Sequence, residues 1–574
     1  MKYRKYLLTM LFAATVGSFM TSCSDDDNLG DAPRLFRPIA SSTVNSNNLE
    51  VTWDKIQGAT SYELKLYKIV GTTEDGTGIG KVIQVATTEE DSYTFADLTW
   101  DEQYGVEIKC IGDNKESEYY QIKAKSINYP TKVSDVKLID NAARISWKEG
   151  GQQIKYIMAI PAEDAETQDT VKVKVSDAQY AEGYADVNGL KPETSYSFYT
   201  YDSSTDFNNS TYAGKISGST KASVDFDEKY GAGNWIDIRN YDEKEAKDTL
   251  KSTIFWEQVK DGMTIILRGE QEYKVNNAVQ FNKSVTFVTG MTLGGNAPFT
   301  FSGGMGVAKN TTIDKIKFES IDMISDKQLD KDAFLASNDK GFGGRQVINV
   351  SGTSSTVNEI IFKDCYIRGF RGVVRGQSAK DNFLSVSFNG CTIDGVGDQG
   401  VVTIADKGGD FRNVTFDDCT ITNIVLLCDL RKTVEAPTVN VNNCTFCYAP
   451  IETTANANTP LFRFNTNAAT LNITNCIFGP SMATEGSAGS SIHLYTAGEK
   501  GSVLLNGASA LVSVAGSYKT NFAYTPIGTN GDTYGIDDLI EFKGDEKALW
   551  SDPANGDFKF KGTLDSPAGA NKWR

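Results

Sequence analysis

Short runs of alternating apolar and polar residues dominate the first third of the chain. Residues 49–53 and 61–67 place apolar side chains two positions apart, and residues 93–98 continue the pattern. A period of two is typical of β-strands that bury one face. The pattern returns at residues 144–147 and 190–198, so the sequence predicts two β-sandwich modules in succession.

Two tryptophans and two tyrosines make these modules resemble fibronectin type III domains. Trp53 and Trp147 lie at equivalent positions, and each resembles the tryptophan that the family buries on an early strand. Tyr196 ends a run close to the family's Leu-x-Pro-x-Thr-x-Tyr corner, and Tyr104 takes that place in the first module. The resemblance predicts modules at residues 33–126 and 131–222. We expect spacers rather than sugar-binding modules, because a fold alone confers no site.

A different pattern begins after residue 235. Residues 243–260 have helical spacing, with Leu250, Ile254 and Val259 on one face, and an apolar strand follows. A helix followed by Lys-Asp-Gly-x-Thr-Ile-x-Leu resembles the capped opening of a pectate-lyase-like right-handed β-helix. The resemblance implies that the helix covers the unpaired edge of the first coil.

A repeat built around cysteine gives the strongest signal. Five similar strand-and-turn motifs end at equivalent cysteines, and residues 316–323 fit the same pattern with Ile321 in the cysteine position. Repeats of this length that consist of strands are coils of a solenoid, in which equivalent side chains stack about 4.8 Å apart. The long step from residue 321 to the next motif predicts an inserted loop at residues 326–344. The five cysteines are Cys365, Cys391, Cys419, Cys444 and Cys476.

The predicted fold class is therefore all-β: two fibronectin type III-like β-sandwiches followed by a right-handed parallel β-helix with an N-terminal capping helix. The β-helix occupies residues 235–574. Because free cysteine packs as a small apolar residue, we expect the repeat cysteines to form a buried stack rather than disulfides or a metal site. The pair Asp417 and Asp418 precedes a repeat cysteine and is better explained as a turn than as a ligand pair.

The start of the chain resembles a bacterial lipoprotein signal. Residues 1–22 combine a basic start with an apolar stretch too short to cross a bilayer comfortably, which predicts a signal peptide. The resemblance implies lipidation of Cys23. The following acidic tether, residues 23–32, resembles the surface-export signal of glycan-utilisation lipoproteins of Gram-negative gut bacteria. It implies an outer-membrane lipid anchor, exposure on the cell surface and an outer-membrane glycan importer as partner.

Composition excludes several function classes. The chain has 57 basic and 74 acidic residues and a net charge of −17, which argues against nucleic acid as a partner, since phosphate contacts need a surplus of cations. His493 is the single histidine. Catalysis by Ser-His-Asp or Cys-His groups therefore has one candidate histidine only, and multi-histidine metal sites are excluded.

One predicted strand in each coil carries the candidate ligand site. Residues 372–377, 400–405 and 460–465 align with one another, and if apolar residues such as Val374 face inward, alternation turns their neighbours outward. The candidate ligand-binding residues are Asn349, Arg375, Gln377, Thr403, Asp429, Arg431, Arg463 and Asn465, joined by Arg368 and Arg371 from the preceding turn.

Arginines gathered on an acidic chain reverse the charge locally. Guanidinium groups bind carboxylate and sulfate in a bidentate geometry, so the expected partner is an acidic, uronate-containing polysaccharide. The alternative is that these arginines pair with neighbouring Asp and Glu side chains.

The whole chain resembles uncharacterised pectate-lyase-like lipoproteins of glycan-utilisation systems. This implies polysaccharide binding for uptake and degradation, without catalysis. The first alternative is a polysaccharide lyase that cleaves a polyuronate by β-elimination, which needs no histidine; the second is an adhesin or structural surface protein. No catalytic signature is recognisable, so no catalytic residue is assigned. Binding requires no cofactor, whereas a lyase would be served by calcium near Asp394, Asp398 and Asp406.

Overall fold

The all-β prediction is confirmed, with 54% of residues in strands and 8% in helices. No helix in the described part of the chain has the length and apolar character that crossing a membrane requires. The predicted signal peptide, Cys23 and the acidic tether lie outside the described residues. The computed structural model describes residues 34–45, 47–72, 78–100, 102–128, 133–148, 153–161, 170–203, 212–327, 341–342, 344–351, 354–377, 380–404, 409–452, 460–465, 467–485, 491–494, 504–520 and 535–574.

Two antiparallel sandwiches form the first part of the molecule. In each, a three-stranded sheet packs on a larger one, and the strand order is that of fibronectin type III domains. The first sandwich pairs Ala40–Asn45, Asn48–Trp53 and Ser92–Phe95, facing Gly78–Thr88, Ser61–Thr72, Glu102–Gly112, Lys115–Glu116 and Tyr120–Ile127. The second pairs Val133–Leu138, Ala142–Trp147 and Tyr184–Asn188, facing Val171–Lys174, Tyr156–Pro161, Ser195–Tyr201 and Tyr212–Ser219, with a helix at Asp177–Glu182.

The tryptophans and tyrosines singled out in the sequence hold the two sandwich cores together. Trp53 and Trp147 are each 6% exposed. The hydroxyl of Tyr104 accepts a hydrogen bond of 3.1 Å from the backbone N–H of residue 99, and that of Tyr196 accepts one of 2.9 Å from residue 191. Both tyrosine corners are therefore confirmed, since each ring fixes the chain five residues upstream.

A buried ion pair joins the second sandwich to the β-helix. The guanidinium of Arg239 donates hydrogen bonds of 2.9 and 3.0 Å to the carboxylate of Asp140, and it also donates to Asp237. Arg239 is 5% exposed and Asp140 is 1% exposed. Beside them, Ile139 of the sandwich packs against Leu293 of the β-helix. Polar and apolar contacts together make this joint a packed interface rather than a linker.

The β-helix consists of three parallel sheets joined by turns. Sheet 1 contains Trp235–Asp237, Met263–Leu267, Val285–Thr289, Thr312–Glu319, Thr356–Lys363, Asn382–Asn389, Asp410–Asp417, Thr438–Asn442, Thr470–Thr474 and Leu511–Ala515. Sheet 2 contains Tyr273–Val275, Ala297–Phe301, Ile321–Ser325, Tyr366–Gly376, Thr392–Thr403, Thr420–Ile424, Thr445–Cys447, Ile477–Phe478, Tyr518–Lys519 and Ile540–Glu541. Parallel crossovers of this kind are right-handed almost without exception.

Sheet 3 is shorter and carries the candidate ligand site. Two long strands of sheet 2, Tyr366–Gly376 and Thr392–Thr403, bend at a register shift, and their second halves belong to sheet 3. Its other strands are Gln346–Val350, Cys428–Asp429, Phe462–Asn465 and Leu505–Gly507. The short paired strands Gln280–Phe281 and Gly306–Val307 adjoin it through a bridge between Met305 and Ile348. A small sheet of Ile451–Glu452, Met482–Glu485 and Ser491–Leu494 lies outside these three.

The predicted repeats stack in register inside the β-helix. On sheet 1, five phenylalanine rings lie almost parallel, with centroids 4.7 to 5.3 Å apart, and all are fully buried. Stacked rings at this spacing follow from the distance between neighbouring strands. The rings belong to Phe287, Phe318, Phe362, Phe388 and Phe416.

The repeat cysteines form the predicted stack at the turn between sheets 1 and 2. All five are free and buried, and a thiol such as that of Cys419 donates to the carbonyl of residue 388 in the previous coil at 3.3 Å. The residue before each repeat cysteine has a positive φ, between +51° and +66°. Asp418 is one of these residues, which confirms its role in a turn, because Asp, Asn and Gly tolerate this conformation best.

Two short helices, rather than the single predicted one, cap the β-helix. They span Glu243–Thr249 and Thr253–Gln258, and the side chain of Ser252 caps the second one by accepting from the N–H of residue 255 at 3.4 Å. The break rotates the second helix. Leu250 and Val259 are buried as expected, but the prediction for Ile254 was wrong, because Ile254 is 69% exposed and Phe255 takes its place in the core.

The final part of the chain folds back along the β-helix. It comprises a helix at Glu546–Leu549, a hairpin of Trp550–Asp552 and Asp557–Phe560, and 3-10 turns at Pro553–Asn555 and Asn571–Trp573. One further helix, Phe226–Tyr230, lies before the β-helix in the chain. We call residues 545–574 the C-terminal segment. Its N–H groups at residues 569 and 570 donate to Asn475 and Thr445, and the indole of Trp573 donates to the hydroxyl of Thr420 at 2.7 Å. The segment therefore runs antiparallel to the direction in which the coils are added.

Candidate functional site

The candidate residues of sheet 3 form one row across five strands. Asn349 pairs with Arg375, Arg375 with Thr403, Thr403 with Asp429, and Asp429 with Arg463. The strand alignment predicted from the sequence is confirmed by this register. Neighbouring parallel strands lie about 4.8 Å apart, so the row follows the long axis of the β-helix with one side chain per coil.

The middle of this row is closed to solvent. Thr403 and Asp429 are each 3% exposed, so neither side chain lies on the outer surface that the strand alternation predicted for Thr403. The buried carboxylate of Asp429 is compensated by two arginines that contact it. Asp429 is therefore a group that positions those arginines.

Two arginines share the single carboxylate of Asp429. Arg431 binds it in a bidentate manner, with Nε and one terminal nitrogen each 2.7 Å from a different carboxylate oxygen. A terminal nitrogen of Arg463 lies 3.7 Å from one of the same oxygens. The side chains of Arg431 and Arg463 are 24% and 35% exposed. Two positive charges against one negative charge leave a local positive excess that solvent can reach.

The pKa of Arg463 reflects this shortage of negative charge. Burial lowers the pKa below its ordinary value, and the positive charge of Arg431 lowers it further, while Asp429 offsets only part of the effect. A lowered arginine pKa means that the protein around the guanidinium stabilises its charged form less well than water does. An additional anion at this position would relieve the deficit.

Three buried polar atoms at and beside Arg463 have no hydrogen-bond partner among the described residues. They are Nε of Arg463 itself, Oδ1 of Asn465 on the same strand and Oδ1 of Asn506 on the next coil. Buried polar atoms are normally satisfied, so this concentration on two neighbouring strands is unusual. Asn506 was not among the predicted residues. The repetition of an apolar pair followed by a polar residue, at 461–463 and again at 504–506, is the signal that would have found it.

The opposite end of the row is built from amides. Nε2 of Gln377 donates to Oδ1 of Asn349 at 2.7 Å, so these two predicted residues lie together. Gln346 and Gln399, which were not among the predicted residues, form a second amide pair at 2.7 Å. Amide pairs of this kind present both donors and acceptors, the groups that sugar hydroxyls need.

Arg368 and Arg371 do not join Arg463. Arg371 binds Asp398 through two hydrogen bonds of 2.7 and 3.2 Å, and Nε of Arg368 lies 3.7 Å from a carboxylate oxygen of Asp394. Arg368 also precedes the register shift and so belongs to sheet 2. For these two arginines, the alternative of pairing with neighbouring acids describes the structure.

The acids considered for calcium are engaged with protein groups. Asp394 accepts a hydrogen bond of 2.7 Å from the amide of Asn423, and Asp398 is the partner of Arg371. Asp406 lies outside the described residues. Among the residues that the structure describes, no group of three or more His, Cys, Asp or Glu side chains is arranged to hold a metal ion.

Comparisons with known proteins bear on the sandwich modules. No model of a protein family matches the chain, and no curated protein matches it. The chain is similar to a segment of two fibronectin type III domains from chicken tenascin, with 15% identity over 32% of this chain and 97% of that one and a TM-score of 0.16. It is also similar to the FN1–FN3 domains of chicken CNTN1, with 20% identity over 33% and 69% of the chains and a TM-score of 0.14.

The fold assignment rests on the chain's own strand order and its two tyrosine corners. By these features the protein is an all-β chain of two fibronectin type III-like sandwiches followed by a parallel β-helix.

Proposed function

We propose that the β-helix binds an acidic polysaccharide along sheet 3. The observation that carries this proposal is the arrangement of Arg431 and Arg463, which share the one carboxylate of Asp429. A carboxylate or sulfate group of the ligand would supply the missing negative charge. Guanidinium groups bind such anions through two parallel hydrogen bonds, which adds geometric selectivity to the attraction.

The shape of the row supports the same proposal. Arg463 and the amide pair of Asn349 and Gln377 stand at opposite ends of a row that crosses five strands. A ligand with repeated units along an extended chain would contact both ends. This favours a polysaccharide over a small anion.

The test is binding of the purified chain, residues 24–574, to pectic, algal and animal acidic glycans in affinity gels. Arg463→Ala removes one of the two arginines, and we expect it to weaken retardation about tenfold, because a hydrogen bond to a charged group contributes roughly 1.5 kcal/mol or more. Arg412→Ala is the matched control, since Arg412 lies on sheet 1 and pairs with Asp410 at 2.6 Å. Equal retardation of both variants would overturn the proposal for sheet 3.

Two other outcomes separate the parts of the proposal. Binding of neutral glycans alone would contradict the acidic ligand and leave polysaccharide binding in place. Failure to bind every glycan would leave the adhesin or structural role.

A polysaccharide lyase is the second candidate. The pairing of Arg431 and Arg463 around one carboxylate favours it, because a lyase must neutralise the carboxylate of a uronate before the neighbouring proton can be removed. A lyase forms unsaturated sugar ends that absorb ultraviolet light. Incubation with each polyuronate should produce this absorbance, and Arg463→Ala should abolish it. If a polyuronate binds but yields no absorbance, the protein binds that glycan without cleaving it.

We further propose that the protein is a lipoprotein on the cell surface, in which the sandwiches hold the β-helix away from the outer membrane and beside a glycan importer. The support is the resemblance of the first 32 residues to a lipoprotein signal and tether. Cys23→Ser should abolish lipid labelling and release the protein from membranes. Retention of the lipid label in this variant would contradict the proposal.

A further inference from the structure

A pocket of about 410 Å³ lies within the C-terminal segment, away from the residues of sheet 3. It is formed where the end of the hairpin faces the last 3-10 turn. The side chains that matter here are Lys559, Phe560, Leu564, Lys572, Trp573 and Arg574.

The apolar wall of the pocket is held in place by the β-helix. The indole N–H of Trp573 donates to the hydroxyl of Thr420 at 2.7 Å, and the ring packs edge-on against Phe558, which is buried, at 5.7 Å between centroids. Phe560 and Leu564 pack beside the same buried cluster. Rings that are fixed before a ligand arrives lose little conformational freedom on binding.

Three positive side chains line this pocket, and no acidic side chain is among its described lining residues. Lys572 donates to the neutral hydroxyl of Thr392, and the guanidinium of Arg574 donates to backbone carbonyls, one of them that of Ser566 at 2.6 Å. No ion pair of Lys559, Lys572 or Arg574 occurs among the residues that the structure describes.

This arrangement differs from that of the arginines that form bidentate ion pairs. Arg371 and Arg431 each hold a carboxylate through two hydrogen bonds. On a chain with a net charge of −17, three cations around one pocket, none of them ion-paired among the described residues, are a local exception. Burial also lowers the pKa of Lys572, and the negative charges of Asp418 and Asp364 offset only part of this effect.

We propose that this pocket binds a sugar ring that carries a carboxylate or a sulfate group. The rings and Leu564 offer apolar contact to the C–H face of the sugar, and the cations offer partners to its anionic group. The proposal stands on a different set of residues from those of sheet 3, so it does not require that sheet 3 bind a glycan.

The test uses calorimetric titration of residues 24–574 with a short oligogalacturonide and, separately, with a sulfated oligosaccharide; the two probes distinguish the carboxylate from the sulfate. Lys559→Gln removes one cation whose described hydrogen bonds are made by its backbone alone, and we expect the dissociation constant to rise about tenfold, which corresponds to about 1.4 kcal/mol. Lys123→Gln, on an exposed face of the first sandwich, is the matched control and should bind as the unchanged protein does.

A second variant reports on the rings. Binding should alter tryptophan fluorescence, and Trp573→Phe should remove that change while leaving the melting temperature within a few degrees. If Trp573→Phe fails to fold, the Lys559→Gln titration still decides the question.

Several results would overturn the proposal. These are unchanged affinity in Lys559→Gln, equal affinity for a neutral galacto-oligosaccharide, and binding of inorganic sulfate as tight as that of the sulfated sugar. The Arg463→Ala variant separates the two sites. If it alone abolishes all binding, only the sheet 3 proposal survives; if it leaves one bound oligosaccharide per chain that Lys559→Gln weakens, the pocket binds independently.

Discussion

Replacing Asp140 with alanine tests whether the second sandwich and the β-helix unfold as one unit. The carboxylate of Asp140 accepts two hydrogen bonds from Arg239, and both side chains are almost completely buried. Removing one member of a buried ion pair costs about 3–5 kcal/mol, because the remaining charge stays buried without its partner. We expect a loss near the lower limit, since Asp237 keeps its own hydrogen bonds to Arg239.

The assay is urea unfolding of residues 24–574, followed by circular dichroism and by tryptophan fluorescence. In the unchanged protein, we expect the second sandwich and the β-helix to share one transition, and in Asp140→Ala we expect the sandwich to unfold first. Asp135→Ala, an exposed acid on the same module, is the control. A loss below about 1 kcal/mol in Asp140→Ala, equal to that of the control, would refute the role of the buried ion pair in the joint.

Three further predictions concern the β-helix. Gly569→Ala should lower the free energy of unfolding by about 1–3 kcal/mol in urea titrations, because φ is +90° and the added methyl group would lie 3.0 Å from a neighbouring side chain; Gly562→Ala, with open space around it, should not. The buried thiols, including Cys428 whose pKa is raised by burial, should resist a water-soluble thiol reagent at mildly alkaline pH until urea is added, and rapid labelling of the folded protein would contradict the stack. Burial alone would raise the pKa of Glu319, but hydrogen bonds from lysines lower it below its ordinary value of 4.5. The contribution of Glu319 to stability is therefore present above pH 4.5 and is lost as the pH falls through the lowered pKa. Glu319→Gln should therefore be less stable than the unchanged protein at neutral pH and equally stable in acid, and a difference that persists in acid would refute this assignment.

The features that could be predicted from the sequence are those that repeat. Cysteine and phenylalanine recur at the positions equivalent to Cys391 and Phe388, because every coil buries the same faces. That periodicity predicted both the stacks and the alignment of Arg375 with Thr403. The tyrosine corners were predicted for a related reason, since Tyr196 belongs to a local motif.

Contacts between distant, unrepeated residues could not be predicted. Nothing in the local sequence indicates that Asp398 binds Arg371 across 27 positions, or that Arg431 and Arg463 share one acid. The cap was predicted as one helix because its apolar spacing is continuous. Ser252 caps a new helix, and the new helix places Ile254 in solvent. A pattern of apolar residues does not reveal where such a cap interrupts the helix.

The C-terminal segment has a mechanical consequence. In a solenoid, each coil contacts only its neighbours, so a force applied to the last coil would peel the coils away one after another. The segment holds Thr445, Thr420 and Thr392 of three successive coils through residues 570, 573 and 572. A pull on the last coils is therefore shared by several bonds loaded in parallel, which must break together. We expect this end of the β-helix to resist tension as a block.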